Sequence, residues 1–238
     1  MNSSLPDLID YLDSSPSPWH ATASAIARLA AAGFQEVAVT DSFLDVPAKG
    51  FVQRGAALVA WHRGSQAGPT SPLLIVGAHT DSPCLKVKPR ADAGGYGWKQ
   101  LAVEVYGSAL LNSWLDRDLG VAGHIELREG SRLVAVAEPT ARVPQLAIHL
   151  DRDVNERGVI IDKQAHMAPV WGVGFARDGE FRDWLAGRAD VPCADVVGWD
   201  LCLFDVTKAV VLGADASLLA SGRLDNQASC WAATSALC

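Results

Sequence analysis

Two short stretches carry residue types that could hold a metal. His79-Thr80-Asp81-Ser82-Pro83 follows the apolar run Leu73-Leu74-Ile75-Val76-Gly77-Ala78, and Gly222-Arg223-Leu224-Asp225-Asn226 lies far downstream. If the extended conformation persists across Thr80, His79 and Asp81 project to the same side. A nearby carboxylate is the usual device for fixing the second nitrogen of a metal-bound imidazole. The end of an interior strand is also where sites form in open α/β sheets. Asp225, with two oxygens, could bridge a pair of divalent ions, the arrangement of two-metal hydrolases. Each motif also has a plainer interpretation: His79 as a satisfied histidine at a strand end, and Asp225 as the N-cap of the helix that follows it.

The surrounding elements fall into three stretches. Residues 1–89 read as mixed α/β. Leu5, Leu8, Ile9 and Leu12 share one face of a first helix, and a second begins after Ser17-Pro18 and stops at Gly33. Strand-like runs follow at 36–39, 50–54, 57–62 and 73–78, the last consecutively apolar as in a strand covered on both faces. Residues 90–212 open with Gly94-Gly95-Tyr96-Gly97 and read as a separate, mainly β domain. Its runs are 101–106, 121–128, 133–137, 146–150 and 196–206, with Glu129-Gly130-Ser131 a hairpin turn, a polar loop at 151–164 and a helix around 178–186. Residues 213–238 return to α/β.

Composition bounds the rest. With 49% hydrophobic and 20% charged residues, the chain has the profile of a globular protein. A net charge of -7, with 20 basic residues scattered among 27 acids, argues against a nucleic-acid partner. No apolar run reaches the length of a membrane span, and the N-terminus lacks the pattern of a secretory leader, so a cytoplasmic chain with no membrane partner is expected. Five cysteines without Cys-x-x-Cys spacing predict free thiols. The glycines at 94–97 are not followed by the helix a phosphate loop needs.

Taken in order, six landmarks resemble the M18 family of metalloaminopeptidases, the aspartyl aminopeptidases. They are Ser15-Pro16-Ser17-Pro18-Trp19-His20, the His79 run, Trp114-Leu115-Asp116-Arg117-Asp118-Leu119, Leu146-Ala147-Ile148-His149-Leu150, Asp200-Leu201-Cys202-Leu203-Phe204-Asp205, and the Asp225 run. The resemblance implies an α/β, zinc-exopeptidase-like catalytic domain, here its N-terminal part only. In the family that domain is interrupted by a mainly β dimerisation domain, here residues 90–212. It implies His79 as a ligand of one ion, Asp81 as the active-site carboxylate that orients it, and Asp225 as the bridging carboxylate before a cis peptide bond. His149 is implied either as a metal ligand or as a group reaching toward a neighbouring subunit's site.

Implied too are two zinc ions, with manganese or cobalt as alternatives, peptide substrates with an acidic first residue, and homo-oligomers in which dimers build a dodecamer. Lys86, Lys88 and Arg90 could meet an acidic residue or form an exposed basic stretch. Asp116 and Asp118 around Arg117 read as a structural ion-pair turn. The family pattern continues with a Glu-Glu pair, an Asp and a His, whereas this chain has no glutamate after Glu180 and no histidine after His166. The expectation is therefore a truncated chain, inactive alone, or a non-catalytic oligomerisation protein derived from such an enzyme.

Overall fold

A computed structural model describes residues 4–68 and 70–238. In chain order the helices are α1 (Ser4–Asp13), α2 (Pro18–Ala31), α3 (Val154–Arg157), α4 (Glu180–Ala189) and α5 (Leu224–Leu237). The strands are β1 (Gln35–Glu36), β2 (Lys49–Arg54), β3 (Ala57–His62), β4 (Cys84–Gly95), β5 (Trp98–Tyr106), β6 (Leu119–Leu127), β7 (Ser131–Ala141), β8 (Val170–Val173), β9 (Val196–Asp205), β10 (Val210–Leu212) and β11 (Leu218–Ala220). They form two compact units, one of residues 1–82 with 208–238 and one of residues 83–207. The second unit thus starts at 83 and ends at 207, where 90 and 212 were expected. Strand β4 runs through the expected first boundary, and β10 pairs with β11 in the first unit.

In the first unit, Ser17 caps α2 by accepting from the His20 N–H, with Pro18 in the first turn, and Gly33 at φ 86° ends the helix as its sequence signals. Leu29 and Phe34 pack on Phe51 of the β1-β2-β3 sheet, with Leu237 of α5 against them. Asp7 ties the three helices together, accepting from Arg28 of α2 at 2.6 Å and from the Trp231 indole of α5 at 2.6 Å. Those two hydrogen bonds, Arg28 first, hold its carboxyl below the usual range. One expectation fails here. Leu73–Ala78 is not a strand: no strand pairs with it among the described residues, and its side chains stand in solvent, Leu74 at 98% exposure.

The second unit is built on a six-stranded antiparallel sheet, β7-β6-β9-β4-β5-β8. Alternation sends Leu85, Val87, Val121, Ile125, Leu201 and Leu203 to one face, which Phe181 and Leu185 of α4 cover. Asp92, beside the bulge in β4, accepts from the N–H groups of Gly179 and Phe181 and so caps α4 from outside the helix. Gly94-Gly95-Tyr96-Gly97 is no boundary but the β4–β5 hairpin. Tyr96 (φ 53°) and Gly97 (φ 82°) form a two-residue turn of the twist-matched kind. Gly130 (φ 81°) makes the expected β6–β7 turn. The run at 146–150 is not a strand either, because the Leu150 N–H donates back to Ala147 O at 2.8 Å and closes a turn.

Leu203, fully buried, lies in the central strand β9. Leu203→Ala is expected to cost the second unit about 2–5 kcal/mol, read by denaturant unfolding of wild type against variant. In the first unit, burial pushes the His20 imidazole down to about 4 from its ordinary 6.5. Between those values the unfolded chain binds a proton that the folded chain refuses, so the contribution is present above pH ~6.5 and lost as pH falls toward ~4. Melting temperature should fall over that window, and His20→Gln should flatten the fall.

Candidate metal centre

His79 and Asp225, far apart in sequence, meet in the first unit. His79 Nε2 lies 3.3 Å from Asp225 Oδ1, and Nδ1 lies 3.1 Å from the Asp81 carbonyl oxygen and 3.4 Å from Asp81 Oδ1. Both ring nitrogens therefore have acceptor oxygens beside them, Nδ1 those of Asp81 and Nε2 that of Asp225. In the tautomer with the proton on Nδ1, Nε2 and Asp225 Oδ1 both present electron pairs, a pairing that a cation between them would satisfy. Metal–ligand bonds of about 2.0–2.1 Å in a tetrahedral set place neighbouring ligands roughly 3.3–3.4 Å apart, so the observed separation fits. The site is open: the His79 side chain is 54% exposed and that of Asp225 87%. Among the described residues no group of three or more His, Cys, Asp and Glu side chains could hold a metal.

The local backbone explains how the two come together. Arg223 (φ 60°) turns the chain into α5 and donates to the carbonyls of Ser15 at 3.2 Å and Leu12 at 3.3 Å. The Asp225-Asn226 peptide bond is cis, as the family resemblance implies. Asp225 (φ -87°, ψ 108°) is not helical and does not cap α5; Arg223 occupies the N-cap and makes no side-chain capping bond. The Asp225 side chain is free to face His79 instead.

Hydrogen bonds then lock the His79 segment residue by residue. The His79 N–H donates to Asn226 Oδ1 at 3.3 Å, and the Cys230 thiol donates to His79 O at 3.1 Å. Gln227 Nε2 donates to Thr80 O at 2.6 Å, and the Ser82 hydroxyl to Asp225 O at 3.0 Å. The hydroxyls of Thr80 and Thr22 both donate to Ala56 O, at 2.9 and 2.7 Å, pinning the segment to the β2–β3 turn. Burial, then the charge of Asp81, pushes the Cys230 thiol up, so it remains a protonated donor. Gln227, Cys230, Ser82 and Thr22 were not singled out in the sequence, since a side chain bonding a backbone group far along the chain leaves no spacing pattern.

The remaining sequence candidates lie in the second unit. His149 stands exposed in the turn at 148–150. Lys86 pairs with Asp200 at 2.7 Å and Lys88 with Glu104 at 3.3 Å, which leaves Arg90, exposed on β4, of that basic trio. Asp118 pairs with Arg142 at 2.6 Å, Arg117 with Asp205 at 3.0 Å, and Asp116 accepts from Gln145 N–H at 3.1 Å, so the Asp-Arg-Asp stretch is a tied turn.

A histidine and a carboxylate brought together at a helix start are residue types that could hold a metal. Comparison with known proteins agrees. Residues 11–238 match the family described as Aminopeptidase I zinc metalloprotease (M18), and the chain belongs to that family. A probable M18 family aminopeptidase 2 of Streptomyces coelicolor is 52% identical over 233 residues, covering 97% of this chain and 54% of that protein. A protein of the same description from Mycobacterium leprae is 44% identical over 244 residues, covering 100% and 57%.

The fold recurs in the cryo-EM structure of the Ape4 and Nbr1 complex, with TM-score 0.90, 28% identity, and 98% of this chain and 49% of that chain covered. It recurs in Chaetomium thermophilum mApe1, with TM-score 0.88, 26% identity, and 98% and 57% covered. The chain therefore spans about half the length of the relatives it matches. No helix among the described residues is long and apolar enough to cross a membrane.

Because Ser82 holds the carbonyl of Asp225 and not its carboxylate, Ser82→Ala is expected to lower zinc affinity less than Asp225→Ala does. Asp225→Ala should lower it at least tenfold. Calorimetric zinc titration of the two variants checks this ordering.

Proposed function

We propose that this chain is the part of a zinc-dependent aminopeptidase that supplies one side of the metal centre. The observation that carries the proposal is the 3.3 Å approach of His79 Nε2 to Asp225 Oδ1, two electron-pair donors facing one another at the separation of neighbouring zinc ligands. The family's description as a zinc metalloprotease supports the choice of zinc, with manganese or cobalt as substitutes and two ions in the complete site. When bound, zinc supplies Lewis acidity to the first carbonyl of a peptide and lowers the pKa of water. His79 and Asp225 hold the ion on this reading, and Asp81 keeps the proton on Nδ1 and fixes the ring.

The substrate is a peptide with a free amino terminus and an acidic first residue. The second unit is a dimerisation domain that builds larger homo-oligomers, a proposal in line with the dodecamer described for the yeast mApe1 structure, whose likeness to this chain is one of fold. His149 is either a ligand or a group offered to a neighbouring subunit's site. Zinc affinity decides between them: His149→Ala leaves it unchanged if the histidine serves the neighbour.

Within residues 1–238 there is no glutamate beyond Glu180 to take a proton from water beside His79 and Asp225. This polypeptide alone is therefore expected to bind zinc weakly and to release no N-terminal residue at a detectable rate. The experiment is a zinc titration of wild type and His79→Ala, followed by incubation of the wild type with peptides beginning in Asp or Glu, with and without Zn2+. Loss of at least tenfold in affinity for His79→Ala is the expected result, and equal affinities would remove His79 as a ligand. Metal-dependent release of aspartate or glutamate would show that these residues suffice for turnover.

A further inference from the structure

The segment that delivers His79 has no ladder to fix it, since 73–78 pairs with no strand among the described residues. What fixes it lies on the helix that also carries Asp225. Gln227 and Cys230 are three positions apart on α5 and so share a face. From that face Cys230 reaches His79 O at 3.1 Å and Gln227 reaches Thr80 O at 2.6 Å. Gln227 is 1% exposed, its amide nitrogen donates to Thr80 O, and among the described residues its amide oxygen has no hydrogen-bond partner. The carbonyl it holds sits in the peptide between His79 and Asp81.

We infer that Gln227, with Cys230 beside it, is a positioning residue for the metal centre: the two side chains clamp the His79-Thr80 backbone to α5 and thereby set the distance from His79 Nε2 to Asp225 Oδ1. The inference rests on the reading of His79 and Asp225 as ligands and adds what holds them in register. It makes the start of α5 the place that bears one ligand and, within the next turn, grips the backbone of the other. Neither Gln227 nor Cys230 is assigned as a ligand. Their contribution is to affinity through geometry, the kind of supporting contact whose loss typically weakens metal binding by about 10–100-fold.

The test is Zn2+ titration of the full chain, taking the His79-dependent part of binding as the difference between each protein and the same protein carrying His79→Ala, which subtracts zinc held by thiols. Gln227→Met keeps the length and volume of the side chain and removes the donor. Cys230→Ala removes the second donor, and Cys230→Ser restores one. Expected is a loss of about tenfold in His79-dependent affinity for Gln227→Met and a smaller loss for Cys230→Ala, recovered in Cys230→Ser. The melting temperature of the metal-free proteins should change by a few degrees at most. If Gln227→Met does not fold, the Cys230 pair decides. Unchanged His79-dependent affinity in the variants that fold overturns the positioning role alone. Absence of any His79-dependent binding in the wild type overturns the ligand assignment and the clamp with it.

Discussion

The first unit depends on hydrogen bonds that run from α5 to a stretch of backbone with no sheet of its own. His79 would otherwise sit at the end of an exposed, unpaired segment. Asn226, Gln227 and Cys230 take the place of the absent ladder, meeting the N–H of His79, the C=O of Thr80 and the C=O of His79 in turn. Helix α5 can do this because it is itself anchored, through Asp7 to α1 and α2 and through Arg223 to the carbonyls of Leu12 and Ser15. The order of dependence runs from the helical layer, to the start of α5, to the His79 segment.

The second unit obeys a different constraint. Its six antiparallel strands have one face covered by α4, and the placement of α4 depends on Asp92, whose carboxylate meets the first N–H groups of the helix. The Lys99–Glu180 pair adds a contact from β5 to the same helix end, a carboxylate in the first turn where the helix dipole favours negative charge. Most charged side chains of the basic stretch and of the Asp-Arg-Asp turn are paired within the unit, so their place is structural.

Much of this was legible in the sequence where a local rule operates. Ser17-Pro18 and Gly33 bracket α2, Gly130 marks a hairpin, and apolar runs give β5, β6, β7 and β9. Strand β4 was hidden because Lys86, Lys88, Pro89 and Arg90 interrupt its apolar face and read as a basic stretch; in the fold they are the outer side of a strand whose inner side is Leu85 and Val87. Gly94–Gly97 looked like a boundary because a twist-matched turn and a linker both favour glycine. The runs at 73–78 and 146–150 misled in the opposite sense, since apolar pattern signals willingness to pair and no strand among the described residues pairs with them. Of the site, residue types and their motifs were readable. The clamp was not, because it consists of contacts between side chains and backbone more than a hundred residues away.

The way the chain enters and leaves the second unit bears on how the first unit can be a unit at all. Its two segments are separated by residues 83–207, and closing a flexible loop of that length would cost about 4 kcal/mol in chain entropy. That cost is met inside the second unit. Strand β4 enters and β9 leaves as antiparallel neighbours, with Leu85 opposite Leu203, so the points of entry and exit are held side by side by a ladder. For the polymer physics of the first unit, the whole intervening stretch behaves as a short staple: the chain on either side of it is kept at hairpin distance, and the search that brings Asp225 back to His79 is that of a much shorter chain.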